Sequence, residues 1–160
     1  MAKVALVSSA GGHLTQALTI AGELSGEHEF FLCVTSFPAV QNMKLEEVKR
    51  IYYTPVYWGY QLPFGIIVSL VVTLFSFLRI LRKEQPDFII TTGAEIALPA
   101  LLVNRFYKRR PSLYVESLTH TEIPSLTGKI VSHLVNRVFV QWPALLKHYG
   151  ANAEYHGRLL

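Results

Sequence analysis

Val-Ala-Leu-Val-Ser-Ser-Ala-Gly-Gly-His-Leu-Thr, residues 4–15, carries an unbroken apolar segment straight into two glycines and a histidine. Val4–Val7 has the continuous apolar character of a strand covered on both faces. Leu14, Leu18, Ala21 and Leu24 then recur at helical spacing, which makes Gly11–His13 the turn between strand and helix. Glycines at such a turn let a ligand approach the backbone, and the first amides of the helix point outward unpaired, favouring anionic or hydroxyl-rich groups. His13 sits at that positive helix end, which disfavours the imidazolium and keeps a neutral, proton-accepting ring. The alternative reading of the same residues is a tight turn in which His13 is only a cap.

Working outward, Glu29–Thr35 reads as a second strand ended by Ser36-Phe37-Pro38, and Val48–Tyr53 as a third. A dinucleotide-binding domain would show Gly-x-Gly-x-x-Gly and an acidic residue closing the second strand. Here Gln16-Ala17 stands where the third glycine belongs and Thr35-Ser36 closes the strand, which excludes that class. Phe88–Gly93 repeats the opening pattern, a strand running into a glycine turn, with a helix expected over Ala94–Tyr107. Leu113–Val115 gives a further strand ending in Glu116-Ser117, followed by a helix expected over Leu126–Asn136, a strand at Val138–Val140 and a short helix at Ala144–Tyr149. The sum is one doubly wound, mostly parallel Rossmann-like α/β sheet of six or seven strands, a single domain over residues 1–160. In such a sheet the loops at the carboxyl ends of the strands line the ligand crevice, so Ser8–His13, Thr91–Glu95 and Glu116–His120 are expected to converge. His13, Glu95, Glu116 and His120 then come within reach of one ligand, enough for acid-base work on a hydroxyl. A strand-end glutamate such as Glu95 has an alternative as a cap or ion-pair partner.

The third strand leads into a different kind of sequence. Tyr52, Tyr53, Tyr57, Trp58 and Tyr60 crowd into nine residues, and Ile66–Leu81 follows with only Ser69, Thr73, Ser76 and Arg79 breaking its apolar run. The three hydroxyl residues form one narrow stripe on a helix otherwise apolar nearly all round, whereas a helix packed on one face of a sheet should carry a polar outer face. Sixteen residues extend about 24 Å as a helix, short of the roughly 30 Å of a bilayer core. The segment 66–82 is therefore read as lying in the membrane interface. Trp58, Ile66, Ile67, Leu70, Val71, Leu74, Phe75, Phe77 and Leu78 are its apolar contacts, and Arg79, Arg82 and Lys83 its headgroup contacts. Burial against a second domain or a partner chain is the alternative. A net charge of +4 fits an anionic surface, and a hydrophobic fraction of 51% with mean hydropathy +0.30 favours a membrane over nucleic acid. The one cysteine, Cys33, lies in an apolar strand and reads as a core residue, with no disulfide or zinc framework. No basic leader or cleavable apolar segment is seen, so the expectation is a chain that stays at the cytoplasmic face of the membrane.

Ser-Ser-Ala-Gly-Gly-His-Leu-Thr-Gln (8–16), Ile-Thr-Thr-Gly-Ala-Glu (90–95), Val-Glu-Ser (115–117), Ser-Leu-Thr-Gly-Lys (125–129) and Val-Gln-Trp-Pro-Ala-Leu-Leu-Lys-His-Tyr (140–149) together carry a resemblance. They are similar to the PssD/CpsF-type subunits of bacterial polysaccharide glycosyltransferases, a family that includes the Alg-fourteen-type subunit of the eukaryotic dolichol-linked N-acetylglucosaminyltransferase. The resemblance implies the acceptor-side, N-terminal half of a GT-B glycosyltransferase, with the UDP-sugar bound by a separate catalytic partner and not by this chain. It implies a lipid-linked sugar acceptor, held by Ser9, Gly11, Gly12, Gln16, Thr92, Gly93, Glu95 and His120. A Gly-Gly-His histidine is a candidate base in the similar single-chain transferase MurG, a role that falls on His13, with Glu116 positioning the acceptor. The family often has a basic residue just after its Glu-Ser, where this chain has Thr119-His120-Thr121, so any phosphate contact there falls to a protonated His120. Gln141, Trp142, Pro143 and Tyr155 are the expected partner interface. No Asp-x-Asp motif is present, in keeping with transfer without metal. Two other classes compete with this reading: a noncatalytic membrane adaptor, and a stand-alone nucleotide-binding Rossmann enzyme.

Overall fold

The computed structural model describes residues 1–41, 45–55 and 65–159. Among them seven strands, β1 (Lys3–Ser8), β2 (Glu29–Thr35), β3 (Arg50–Thr54), β4 (Phe88–Thr91), β5 (Ser112–Val115), β6 (Arg137–Phe139) and β7 (Ala153–Glu154), build one sheet in the order β3-β2-β1-β4-β5-β6-β7. Every neighbouring pair is parallel. The helices are α1 (Gly12–Leu24), α2 (Pro38–Gln41), α3 (Gly65–Glu84), α4 (Ala97–Tyr107), α5 (Leu126–Val131) and α6 (Leu146–Tyr149). This is the doubly wound, Rossmann-like architecture expected from the alternation of apolar strands and periodic helices.

Strand periodicity sorts the core into two layers. Val4 and Leu6 of β1 and Phe30, Leu32 and Val34 of β2 pack under Leu14, Ile20 and Ala21 of α1. Ala5, Val7, Phe31 and Cys33, on the other face, pack under Phe77, Ile80 and Leu81 of α3 and Ile96, Ala100 and Val103 from the start and body of α4. Cys33 is fully buried, and that burial, followed by the nearby Glu84 charge, pushes its thiol well above the ordinary value. It is a core residue, as its apolar strand indicated.

Two helices differ from expectation in extent. The helix expected from Ala94 starts at Ala97, because Gly93 at φ 116° and Ala94 at φ 61° make a left-handed turn first. Pro99 consequently falls in the first helical turn, where its missing N–H costs nothing. The helix expected to reach Asn136 ends at Val131. Asn136 is instead drawn onto β5, its Oδ1 accepting from the Ser112 amide at 2.9 Å and its own amide donating to the Ser112 carbonyl.

α3 is longer than the apolar run alone, twenty residues ending at Glu84. Gln85, at φ 49°, closes it by donating its side-chain amide to the Arg82 carbonyl at 2.8 Å, and Pro86 prevents continuation. Its inward stripe is Thr73, Phe77, Ile80, Leu81 and Glu84, so of the three hydroxyl residues Thr73 faces the protein while Ser69 and Ser76 are half-buried beside it. Thr73 is fully buried and satisfies its hydroxyl on the Ser69 carbonyl at 2.7 Å. Ile67, Val68, Val71, Val72 and Phe75 are left outside, Ile67 and Phe75 at 60% and 62% exposure. Phe77 corrects the expected membrane set: it lies four residues beyond Thr73 on the inward stripe and is core, while Leu74 and Leu78 are partly buried against that core. Leu70 is half-buried, and Arg79, Arg82 and Lys83 are exposed. Trp58 and the side chain of Ile66 lie outside the described residues. Among those described, no helix is long and apolar enough to cross a membrane.

The inner end of α3 is tied to the amino edge of the sheet by Glu84, which is 3% exposed. Its carboxylate pairs with Lys3 and with Arg50 at 2.8 Å, and accepts from the Tyr52 hydroxyl. Burial opposes the charge, but the Lys3 and Tyr52 hydrogen bonds and the Lys3 and Arg50 charges outweigh it, so the Glu84 pKa is lowered below its ordinary 4.5. The same carboxylate and its own burial push Tyr52 up to about 12. A lowered carboxyl contributes stability that is present above its unfolded pKa and lost as pH falls through the folded one. We expect the unfolding free energy from urea titrations to fall as pH drops below about 4.5, and Glu84→Gln to flatten that acid limb.

Candidate active site

The strand order reverses between β1 and β4, so the loops after these two strands diverge and leave a crevice at the carboxyl edge. Gly11, at φ 81°, turns the chain from β1 into α1 in a conformation that favours glycine. α1 thereby starts with His13 facing the β4 loop. His13 Nδ1 lies 2.7 Å from the Thr92 carbonyl. A carbonyl only accepts, so Nδ1 is the donor, and Nε2 is left as the nitrogen open to a substrate, with no partner among the described residues. Thr92 is fully buried and holds the histidine twice, because its hydroxyl also donates to the His13 carbonyl at 2.8 Å. Gly93 completes the cradle: a Cβ there would stand 3.3 Å from the imidazole and 3.5 Å from the Tyr114 hydroxyl. The ring is thus fixed in one orientation at a switch point, with Nδ1 turned to the backbone.

Beyond Tyr114 lies Glu116, fully buried at the end of β5. One of its oxygens accepts from the Tyr114 hydroxyl at 3.0 Å and the Ser117 amide at 2.9 Å. The other accepts from the Ser125 amide and hydroxyl at 3.2 and 3.1 Å and from the Tyr149 hydroxyl. Five donors enclose the carboxylate, so Glu116 does not meet an acceptor directly, which corrects the role expected of it. It is a hub that fixes the loop after β5. Burial first, and then the Glu116 charge and hydrogen bonds, push the Tyr114 and Tyr149 phenols well above their ordinary values.

The hub also accounts for the Ser-Leu-Thr-Gly-Lys motif. Ser125 caps α5, its Oγ accepting from the Gly128 amide at 2.8 Å. Gly128 has no room for a side chain, since a Cβ would overlap the Tyr149 hydroxyl and the Glu116 carboxylate. Gln141, expected at a partner interface, is an internal strut instead, while Trp142 is half-buried and anchored by its indole N–H. Gln141 is 2% exposed, donates to the Glu116 carbonyl at 2.9 Å and accepts from the Leu159 amide at 3.1 Å. Trp142 donates to the Leu118 carbonyl at 2.8 Å, and the Arg158 guanidinium lies over its ring at 3.7 Å. Pro143 and Tyr155 are exposed.

The remaining predicted residues divide clearly. Ser9 is buried, and Gly11 and Gly12 are exposed at the mouth of the turn. Gln16 is 3% exposed and its Oε1 has no hydrogen-bond partner among the described residues. Glu95 is exposed and unpaired among the described residues, and His120 is held by its own loop, Nδ1 to the Ile123 carbonyl at 3.1 Å. The structure joins His13, Thr92 and Gly93 directly and Glu116 through Tyr114. Sequence reasoning missed Tyr114, Tyr149 and Gly128, whose only signal was a motif without evident chemistry. A separate apolar cavity of about 330 Å³ lies over β4–β6 on the α1 face, lined by Ile20, Leu24, Ile90, Val115, Phe139 and Leu159, and includes none of the glycine-turn residues.

A family model described as "Oligosaccharide biosynthesis protein Alg14 like" matches residues 5–159. The chain belongs to the Alg14-like family. Two curated relatives of this Alg14-like chain are the mouse and human proteins named UDP-N-acetylglucosamine transferase subunit ALG14. They are 29% and 27% identical, over 99% and 98% of this chain and 83% and 82% of theirs. A third, from Sulfurihydrogenibium, is named UDP-N-acetylglucosamine--N-acetylmuramyl-(pentapeptide) pyrophosphoryl-undecaprenol N-acetylglucosamine transferase; it is 28% identical over 87% of this chain and 40% of its own length. Among solved structures, Acinetobacter baumannii MurG superposes on 97% of the Alg14-like chain with TM-score 0.72 at 20% identity. A Rickettsia bellii UDP-N-acetylglucosamine 2-epimerase superposes on 99% with TM-score 0.77 at 12% identity. The Alg14-like chain spans 45% of each of these two structures, which at such identities show a shared fold.

Proposed function

We propose that this Alg14-like chain is the acceptor-side subunit of a two-part glycosyltransferase that moves a hexose, N-acetylglucosamine, from a UDP-sugar held by a catalytic partner onto a lipid-linked sugar. The observation that carries the reading is His13, an imidazole locked through Nδ1 to the Thr92 carbonyl with Nε2 unpartnered among the described residues at the switch point. The names of the mouse and human relatives support the transferase and its division into subunits. In the proposed step Nε2 takes the proton of the acceptor hydroxyl as its oxygen attacks the anomeric carbon; the bond from that carbon to the UDP oxygen breaks, and the configuration inverts. Ser9, the amides of the Gly11-Gly12 turn, Gln16, Gly93, Glu95 and His120 are the proposed acceptor contacts, with Glu116 acting only by fixing the β5 loop. Half-buried Trp142 and exposed Pro143 and Tyr155 are the remaining candidates for the partner surface.

The experiment is transfer of labelled N-acetylglucosamine from its UDP donor to membrane lipid extract, by the chain alone, the partner alone and the two together. Product from the mixture only is the expected result; product from the chain alone overturns the division of labour. For membrane docking, the proposed surface is the outer face of α3, with Arg79, Arg82 and Lys83 beside it at the cytoplasmic face of the bilayer. Phe75→Glu should weaken flotation with anionic liposomes about tenfold or more, the effect of withholding one buried aromatic. Unchanged flotation would move the contact elsewhere.

A further inference from the structure

The two motifs 125–129 and 140–149 meet again away from the crevice. Lys129 and His133, at and just beyond α5, and His148 on α6 line a cavity of about 400 Å³, together with Ser132, Asn152 and Tyr149. Among the described residues no carboxylate lines it. The side chains of Lys129, His133 and His148 have no hydrogen-bond or ion-pair partner among the described residues, whereas Lys3, Lys49, Arg50, Arg137 and His156 all reach glutamates. The Ser132 hydroxyl is committed to the Lys129 carbonyl at 3.0 Å, which leaves the ammonium, the imidazole N–H groups and the Asn152 amide as free donors. Two imidazoles and an amide suit a metal ion by ligand type, but an ammonium on the same wall repels a cation and attracts an oxyanion. Ser125 and Gly128 are explained by the Glu116 hub; Lys129 and His148 are not.

We propose that this cavity binds a phosphate-class oxoanion of diphosphate size, with Lys129 and His148 as its principal contacts and Asn152 completing the donor set. The site stands apart from the crevice and does not depend on the transferase reading. Tyr149 forms one wall of the cavity and closes the Glu116 hub from the other side.

Titrating inorganic pyrophosphate into the chain, followed by calorimetry at low ionic strength, tests the site. Saturable single-site binding is expected, weakened about tenfold or more in Lys129→Ala and in His148→Ala and largely restored in Lys129→Arg, since each replaced group removes a charge-assisted hydrogen bond. The Arg105→Ala variant, an exposed cation in the last turn of α4, should bind as wild type does. Vesicles containing phosphatidic acid form the second arm. Loss of vesicle binding in Lys129→Ala identifies a lipid headgroup as the source of the phosphate, and unchanged vesicle binding identifies a soluble one; either supports the site provided the pyrophosphate results hold. Absence of saturable pyrophosphate binding, unaltered affinity in both cavity variants, or loss in Arg105→Ala instead would overturn it. Amide spectra of each variant report its fold, and Lys129→Gln serves as a second probe where the alanine variant changes them.

Discussion

Replacing His13 with alanine should lower transfer by the chain with its partner about 10²–10⁴-fold, with the KM for the UDP-sugar nearly unchanged. The magnitude is that of a positioned general base, and the donor KM is spared because the donor is assigned to the partner. The argument rests on geometry: with Nδ1 committed to the Thr92 carbonyl, only Nε2 is available to a substrate hydroxyl. Gly93→Ala makes a companion test, because its methyl would press within 3.3 Å of the ring while leaving the imidazole in place. It should lower kcat less than His13→Ala does. Steady-state rates with saturating lipid acceptor check both. Full activity in His13→Ala would reduce the chain to an adaptor that recruits and activates its partner.

Gly128→Ala should be the most destabilising single methyl in the molecule. The added carbon overlaps the Tyr149 hydroxyl and the Glu116 carboxylate and lies 2.8 Å from Ser125 Oγ, so one of the three must move. Overpacking alone costs about 1–3 kcal/mol, and a carboxylate that loses one hydrogen-bond donor about 1.5–3 kcal/mol. A loss of about 3 kcal/mol or more in urea unfolding is expected, against about 1 kcal/mol for an ordinary lost helix cap. Tyr149→Phe removes one donor without adding volume and should fall between them. A change below about 0.5 kcal/mol for Gly128→Ala, the size of an ordinary surface substitution, would show that the hub has slack which the enclosure of Glu116 does not suggest.

The two glycine turns and the strands feeding them were legible because their signals are local: continuous apolar runs, glycine where the backbone turns, and helical spacing beyond. Parallel order then brought residues 13 and 92 together from topology alone. The Glu116 hub was not legible in the same way, since its donors come from residues 114, 117, 125 and 149, and no local pattern marks a carboxylate as enclosed rather than open. Gly128 was visible only as part of a motif; its reason is a clash with side chains from two other segments. Gln141 did not fit the partner interface expected of it because its hydrogen bonds run inward, to the Glu116 carbonyl and the Leu159 amide, with nothing local to mark it as buried. On α3 the apolar excess was read correctly, but which hydrophobe points inward depends on the phase of the helix against the sheet, and that phase put Phe77 inside.

The direction of α3 has a geometric consequence. Its last turn is pinned to Lys3 at the amino edge of the sheet, so its first turns reach toward the carboxyl edge, where the glycine turns open. The bare residues Ile67 to Phe75 occupy about 12 Å of those early turns, and the cations Arg79, Arg82 and Lys83 follow on the later ones. Under the docking proposed for α3, this gradient would set a tilt: the rim of the crevice would dip toward the acyl boundary while the opposite edge stood off among the headgroups. A sugar tethered by a polyprenyl anchor would then meet His13 at the height where its own phosphates lie, with its tail still dissolved in the bilayer.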